Sequence, residues 1–184
     1  SDSIRYAKDL GLQVRFTCED ASRSMPNELV ELYSRLQELG ADRLSYADTV
    51  GTDTTERIEQ LHQAIHGAVP FSSLHFHFHN DRGRALENAM KARELGAQCL
   101  DASIMGIGER SGILSIEEAV IRLRHGGEEG PTAEDMELLT QAQELVAASI
   151  NMCHFARRRF AHKSGIHIHG VLSDPAHYEA QGPE

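Results

Sequence analysis

The chain has 184 residues, 40% of them hydrophobic and 25% charged, enough for one globular core or for one domain with a helical appendage. Its formal net charge of −10 argues against nucleic acid or an anionic membrane as the main partner, and any anionic substrate needs a local basic pocket. Cys18, Cys99 and Cys153 are odd in number and lack Cys-x-x-Cys spacing, so the expectation is a reducing, cytoplasmic setting without disulfides; there is no long apolar run to span a membrane.

In chain order, residues 1–11 read as the end of a helix closed by Gly11. A strand is expected at 13–18, then a helix at 26–39 with Pro26 in its first turn and Ser24 as its cap. A strand at 43–48, a helix at 53–66 and a strand at 73–79 follow. The next helix, 84–95, carries one apolar stripe through Ala85, Leu86, Ala89, Ala92 and Leu95, and leads to a strand at 98–104 and a helix at 115–124. A breaker cluster at 126–131 separates these from a helix at 133–150 and an irregular, His- and Arg-rich tail. Gly11, Gly40, Gly67 and Gly96 recur every 27 to 29 residues, each after a helix and before a strand. Repeated strand–helix units of that length imply a parallel β/α architecture. Four such units make half of a barrel, since eight are needed to close one. The expected division is a catalytic half-barrel over 1–130 and a helical linker and tail subdomain over 131–184.

The densest chemistry lies in Leu74-His75-Phe76-His77-Phe78-His79-Asn80-Asp81. Alternation along a strand puts the three imidazoles on one face and the apolar side chains on the other. Two imidazoles spaced this way can converge on one cation, with oxygen donors following at Asn80 and Asp81. A surface strand that merely carries histidines is the alternative. Polar residues also gather at the C-terminal ends of the other strands, at 17–20, 47–49 and 105–110. In parallel β/α folds those ends hold the ligands.

At five places the sequence resembles the metal-dependent acyl-CoA condensing enzymes of the homocitrate synthase and isopropylmalate synthase family. Arg15-Phe16-Thr17-Cys18-Glu19-Asp20-Ala21-Ser22-Arg23-Ser24 is similar to the motif of the fifth barrel strand, Ala47-Asp48-Thr49-Val50-Gly51 to the sixth and His77-Phe78-His79-Asn80-Asp81 to the seventh. Gly106-Ile107-Gly108-Glu109-Arg110-Ser111-Gly112 is similar to the eighth, and Ala161-His162-Lys163-Ser164-Gly165-Ile166-His167 to a segment beyond the barrel. The resemblance implies the second half of a TIM barrel, strands five to eight, followed by a helical subdomain. The first-strand motif, which supplies an Arg and an acidic metal ligand in that family, is not found in the sequence.

The resemblance further implies a divalent metal (Zn, Mn or Mg) on His77 and His79, and acetyl-CoA and a 2-oxo acid as substrates. Glu19, His167 and Tyr178 would carry acid–base catalysis; the alternatives are an ion pair with Arg23 for Glu19 and packing for His167. Arg15, Thr17, Thr49, Gly106, Gly108 and Glu109 would contact substrate. A guanidinium at position 15 suits a second carboxylate, which favours 2-oxoglutarate, while a surface ion pair is the competing role. A homodimer assembled through the tail is also implied. Other readings are an isopropylmalate- or citramalate-type condensation, a carbon–carbon lyase on the same barrel, and a non-catalytic half-barrel interaction module. The lyase branch is expected to carry a cysteine in the eighth-strand loop, where this sequence has Glu109-Arg110-Ser111.

Overall fold

A computed structural model describes residues 2–125 and 132–150. Four strands, β1 (Arg15–Cys18), β2 (Arg43–Asp48), β3 (Leu74–Phe78) and β4 (Cys99–Asp101), form one parallel sheet in sequential order. Helix α1 (Asp2–Asp9) precedes it, and α2 (Pro26–Glu38), α3 (Thr55–Ile65), α4 (Ala85–Glu94) and α5 (Ile116–His125) follow successive strands. Each of α2 to α4 packs against the next helix. Helices that neighbour one another in sequence order, on a sheet whose order never reverses, are the layout of a barrel wall; a doubly wound sheet would split them between two faces.

The sheet is two-faced for the reason the alternation requires. Leu44, Tyr46, Leu74, Phe76 and Phe78 point to the helices, where they form one core with Leu29, Tyr33, Leu36, Ile58, Leu61 and Ile65. Fully buried side chains of this size each contribute roughly 1.5–3 kcal/mol. Their core is aromatic at its centre, with the Phe76 and Phe78 rings stacked at 5.6 Å and Tyr46 tilted against both. The other face carries Arg15, Thr17, Arg43, Ser45, Ala47, His75, His77, Cys99 and Asp101. Polarity there marks the interior face of the barrel wall as the working side.

Expected and observed elements agree in type and differ at their ends. The β4 ladder stops at Asp101 instead of reaching 104, because the chain turns through Ile104–Gly106 with Met105 left-handed at φ 57. That turn is held by the Glu117 carboxylate, which accepts from the Met105 amide at 2.8 and 3.0 Å. Ser24 does not cap α2: Met25 is the cap residue, and the Ser24 hydroxyl instead donates to the Asp20 carbonyl. On α4 the stripe forms with Ala85, Ala89 and Ala92 buried, and Asn88 is buried beside them. The helix after the breaker cluster is α6 (Ala133–Ser149), capped by Thr132, and it touches the Ile104–Gly106 turn. The breaker cluster and the tail lie outside the described residues.

Candidate active site

The site is built on β3. His75 and His77 point inward from the strand, and His79 continues the alternation just past it, held by the bond from its amide to the Asp48 carbonyl and by a bridge to Ile113. The Nε2 atoms of His77 and His79 lie 3.2 Å apart. Two imidazoles bound to one cation at about 2.0–2.1 Å with tetrahedral angles have nitrogens about 3.3 Å apart. The pair therefore stands at chelating separation. His79 is 8% exposed, and its Nδ1 is buried with no partner in hydrogen-bonding geometry. Burial, then the charge of Arg110 and the neighbouring His77, push its pKa down to about 3, so the ring is neutral at physiological pH, as a metal ligand must be.

Asp101, across the ladder from His77, brings Oδ2 to 3.5 Å from His77 Nδ1 and Oδ1 to 3.5 Å from Arg15 Nη1. Its carboxyl is held below the usual range, first by His77 and then by Arg15 against the opposing effect of burial. Deeper in the sheet, Arg43 Nη1 lies 2.9 Å from His75 Nε2, while Arg15 Nη1 lies 3.5 Å from His75 Nδ1. Burial and the two guanidinium groups lower the His75 pKa. Ligand atoms of His75, Cys99 and Asp101 fall within 4.8 Å of one another, the one such trio among the described residues. A cation placed there would sit against two arginines that already face both ring nitrogens of His75. Arg110 bears on the His77–His79 pair as well, through His79, but the donor atoms of that pair face each other at chelating separation.

Arg15 thus stands inside the chamber beside His75 and Asp101. The Asp42 carboxylate, a candidate partner for it on the surface, is instead taken by Lys8 at 2.8 Å and by the Val14 amide. Thr17 is exposed on the same inward face, and Glu19 is exposed just beyond the strand end. Arg23 makes its bidentate contact with Asp20. Thr49 has its hydroxyl engaged, accepting from the Asp20 amide at 2.7 Å, which ties the loop after β1 to the end of β2. Gly106 and Gly108 leave room for the chain's own return: a Cβ on Gly106 would stand 2.8 Å from the Ile113 carbonyl, and one on Gly108 would be 3.0 Å from the Ile113 side chain. Glu109 is half-buried in that loop, its carbonyl accepting from the Gly112 amide. His167 and Tyr178 lie outside the described residues.

Asn80 and Asp81 serve the scaffold. Asn80 Oδ1 accepts from the Ala85 amide at the start of α4, and Asp81 pairs with Arg110. Sequence reasoning missed Asp101 and Arg43. Both sit at inward positions of their strands, but which residue faces which across parallel strands depends on register, and no local motif encodes that.

The family model described as HMGL-like matches residues 1–146. The chain belongs to the HMGL-like family. Among curated relatives it is 36% identical to a homocitrate synthase of Saccharolobus islandicus (strain L.S.2.15) over 188 residues, covering 100% of this chain and 41% of that protein. It is 35% identical to a homocitrate synthase of Sulfolobus acidocaldarius over 190 residues, covering 100% and 40%. The chain therefore spans about two fifths of the length of these relatives. Among solved structures, it resembles the HMG-CoA lyase from Brucella melitensis with a TM-score of 0.62 and 27% identity, over 77% of this chain and 56% of that one. It shares its fold with the hydroxymethylglutaryl-CoA lyase from Pseudomonas aeruginosa at a TM-score of 0.69 and 23% identity, over 94% and 58%. Within this family the parallel four-stranded sheet is part of a TIM barrel.

Proposed function

We propose that these residues form part of the active site of an acyltransferase that condenses acetyl-CoA with a 2-oxo dicarboxylic acid, as a homocitrate synthase does with 2-oxoglutarate. The reading rests on one observation above all. Two imidazole nitrogens 3.2 Å apart lie at the C-terminal end of a parallel sheet, where such folds bind ligands, and on the same inward face a guanidinium from the first residue of β1 reaches Asp101 beside them. The 36% identity with homocitrate synthases along the whole chain supports the choice of reaction.

His77 and His79 would hold the divalent ion, which would supply Lewis-acid polarisation of the oxo acid's keto oxygen and carboxylate. Arg15 clamps the far carboxylate, and Thr17 donates to a substrate oxygen. An acyl-CoA methyl must lose a proton before its carbon can attack the keto carbon. Glu19, exposed at the mouth of the chamber, takes part in that transfer, with His167 and Tyr178 of the tail completing the acid–base set. The new alkoxide takes a proton, water cleaves the thioester, and free CoA leaves with a third carboxylate on the product.

Appearance of CoA thiol tests the reading, in the protein as its gene encodes it, supplied with Mn, Zn or Mg. Thiol release with acetyl-CoA and 2-oxoglutarate is expected. Release only with 2-oxoisovalerate would refute the Arg15 assignment and favour the isopropylmalate-type reaction. Likeness to HMG-CoA lyase structures favours a second reading, carbon–carbon cleavage. Cleavage of hydroxymethylglutaryl-CoA without condensation would establish it.

A further inference from the structure

We propose that Asp101 is the positioning residue for the metal-binding imidazole of His77, fixing both its tautomer and the direction of its Nε2. This rests on the assignment of His77 and His79 as ligands.

An imidazole offers Nε2 to a cation only when Nδ1 carries the proton, and the group that accepts that proton's hydrogen bond selects the tautomer. Asp101 Oδ2 stands 3.5 Å from His77 Nδ1, on the opposite side of the ring from the nitrogen that meets His79. That is an ion-pair distance, longer than the roughly 2.7–3.2 Å of a formed N–H···O bond, and the contact must shorten in the metal-loaded protein, as loose hydrogen bonds in unliganded sites do. The backbone makes the approach possible, since His77 and Asp101 are direct partners in the β3–β4 ladder. Its other oxygen, Oδ1, faces Arg15 at 3.5 Å, which limits the carboxylate's freedom to swing away from the ring. The carboxylate thus lies between the ligand that would hold the metal and the guanidinium that would hold substrate. Each of its oxygens serves one of them.

The test is metal affinity by calorimetry, together with the nitrogen shifts of His77 and the cobalt(II) absorption spectrum, for wild type, Asp101→Asn, Asp101→Ala and Cys99→Ser in the full gene product. Asp101→Ala should weaken metal binding about 10- to 100-fold, the usual effect of losing such a partner. Asp101→Asn, which keeps an acceptor and loses the charge, should fall between. His77 should shift from the Nδ1–H tautomer toward a mixture in Asp101→Ala, and Cys99→Ser should change nothing. Unchanged affinity and tautomer in Asp101→Ala would overturn the proposal. So would a Cys99→Ser loss as large as that of Asp101→Ala, because Asp101 would then be a ligand alongside Cys99. Wild type that binds metal but releases no CoA thiol sinks the proposed reaction and leaves the Asp101 result standing. Wild type that binds no metal overturns both.

Discussion

Arg110 lays its guanidinium along both carboxylate oxygens of Asp81, Nε to Oδ1 at 2.9 Å and Nη2 to Oδ2 at 3.0 Å, with the two side chains 6% and 10% exposed. Nη2 also donates to the Thr49 carbonyl at 2.5 Å. One side chain therefore fastens the loops after β2, β3 and β4 together directly behind His79. The backbone accommodates this with Arg110 itself in the left-handed region at φ 52. A buried, fork-to-fork pair of this kind fixes geometry more than it adds net stability.

Removing one member should be costly and removing both much less so. Arg110→Met leaves a buried carboxylate without its partner, for which about 3–5 kcal/mol of destabilisation is expected. Asp81→Leu leaves the guanidinium in the same position. The double variant should recover most of the loss, a coupling that urea denaturation of all four proteins measures. Additive single losses would mean that the pair does not act as a unit.

Gly51 lies on the other side of the same carboxylate. Its φ is +64, and a Cβ there would meet the Asp81 amide nitrogen at 2.8 Å. Gly11 also has a positive φ, +74, but a Cβ on it would have nothing within 4 Å. Gly11→Ala should therefore cost only the backbone strain, about 1 kcal/mol. Gly51→Ala must add the displacement of the Asp81 loop, so its unfolding midpoint should fall further. Equal losses in the two variants would show that the loop gives way freely.

The legible part of this molecule was what depends on one strand or one turn at a time. Alternation in 74–79 told which side chains face the chamber, and the recurring glycines marked the strand–helix units, each with positive φ in the structure. The fold followed from their repetition, and the family from the order of the motifs. What escaped depends on neighbours far along the chain. Asp101 matters because register sets it opposite His77, and Arg43 because it reaches His75 from the adjacent strand. Asp81, read from its place in the motif as an extra oxygen donor for the cation, is instead bound to Arg110, 29 residues on. The end of β4 was overestimated because the force that stops it, the Glu117 carboxylate, comes from α5.

Two sets of side chains compete for a metal on this face, and they make opposite predictions. The His77–His79 pair predicts that alanine at either position lowers affinity at least about 100-fold, more than loss of a supporting partner does. The trio of His75, Cys99 and Asp101 predicts instead that Cys99→Ser does so. Calorimetry with Zn and Mn on these variants decides between them. Retention of full affinity by His79→Ala would shift the metal to the trio, despite the arginines beside it.

On the helix side of the sheet, Asp53 is buried with Tyr46 donating to its Oδ2 at 2.7 Å, while its Oδ1 has no partner. Burial first, and then the charge of Asp48, raise its pKa to about 7. In the unfolded chain an Asp titrates near about 3.9, so the folded state holds a proton that the unfolded state releases. Asp53 therefore contributes most to stability below about pH 4, and that contribution is lost progressively as pH rises through about 7. Denaturation midpoints of wild type should decline across this window, and those of Asp53→Asn should decline less. Tyr46→Phe removes a hydrogen bond that lowers the Asp53 pKa, so the decline should continue to higher pH. A wild-type profile that rises between pH 5 and 7, with Asp53→Asn falling below it at the upper end, would mean that the carboxyl is ionised in the fold and held by charge instead of by burial.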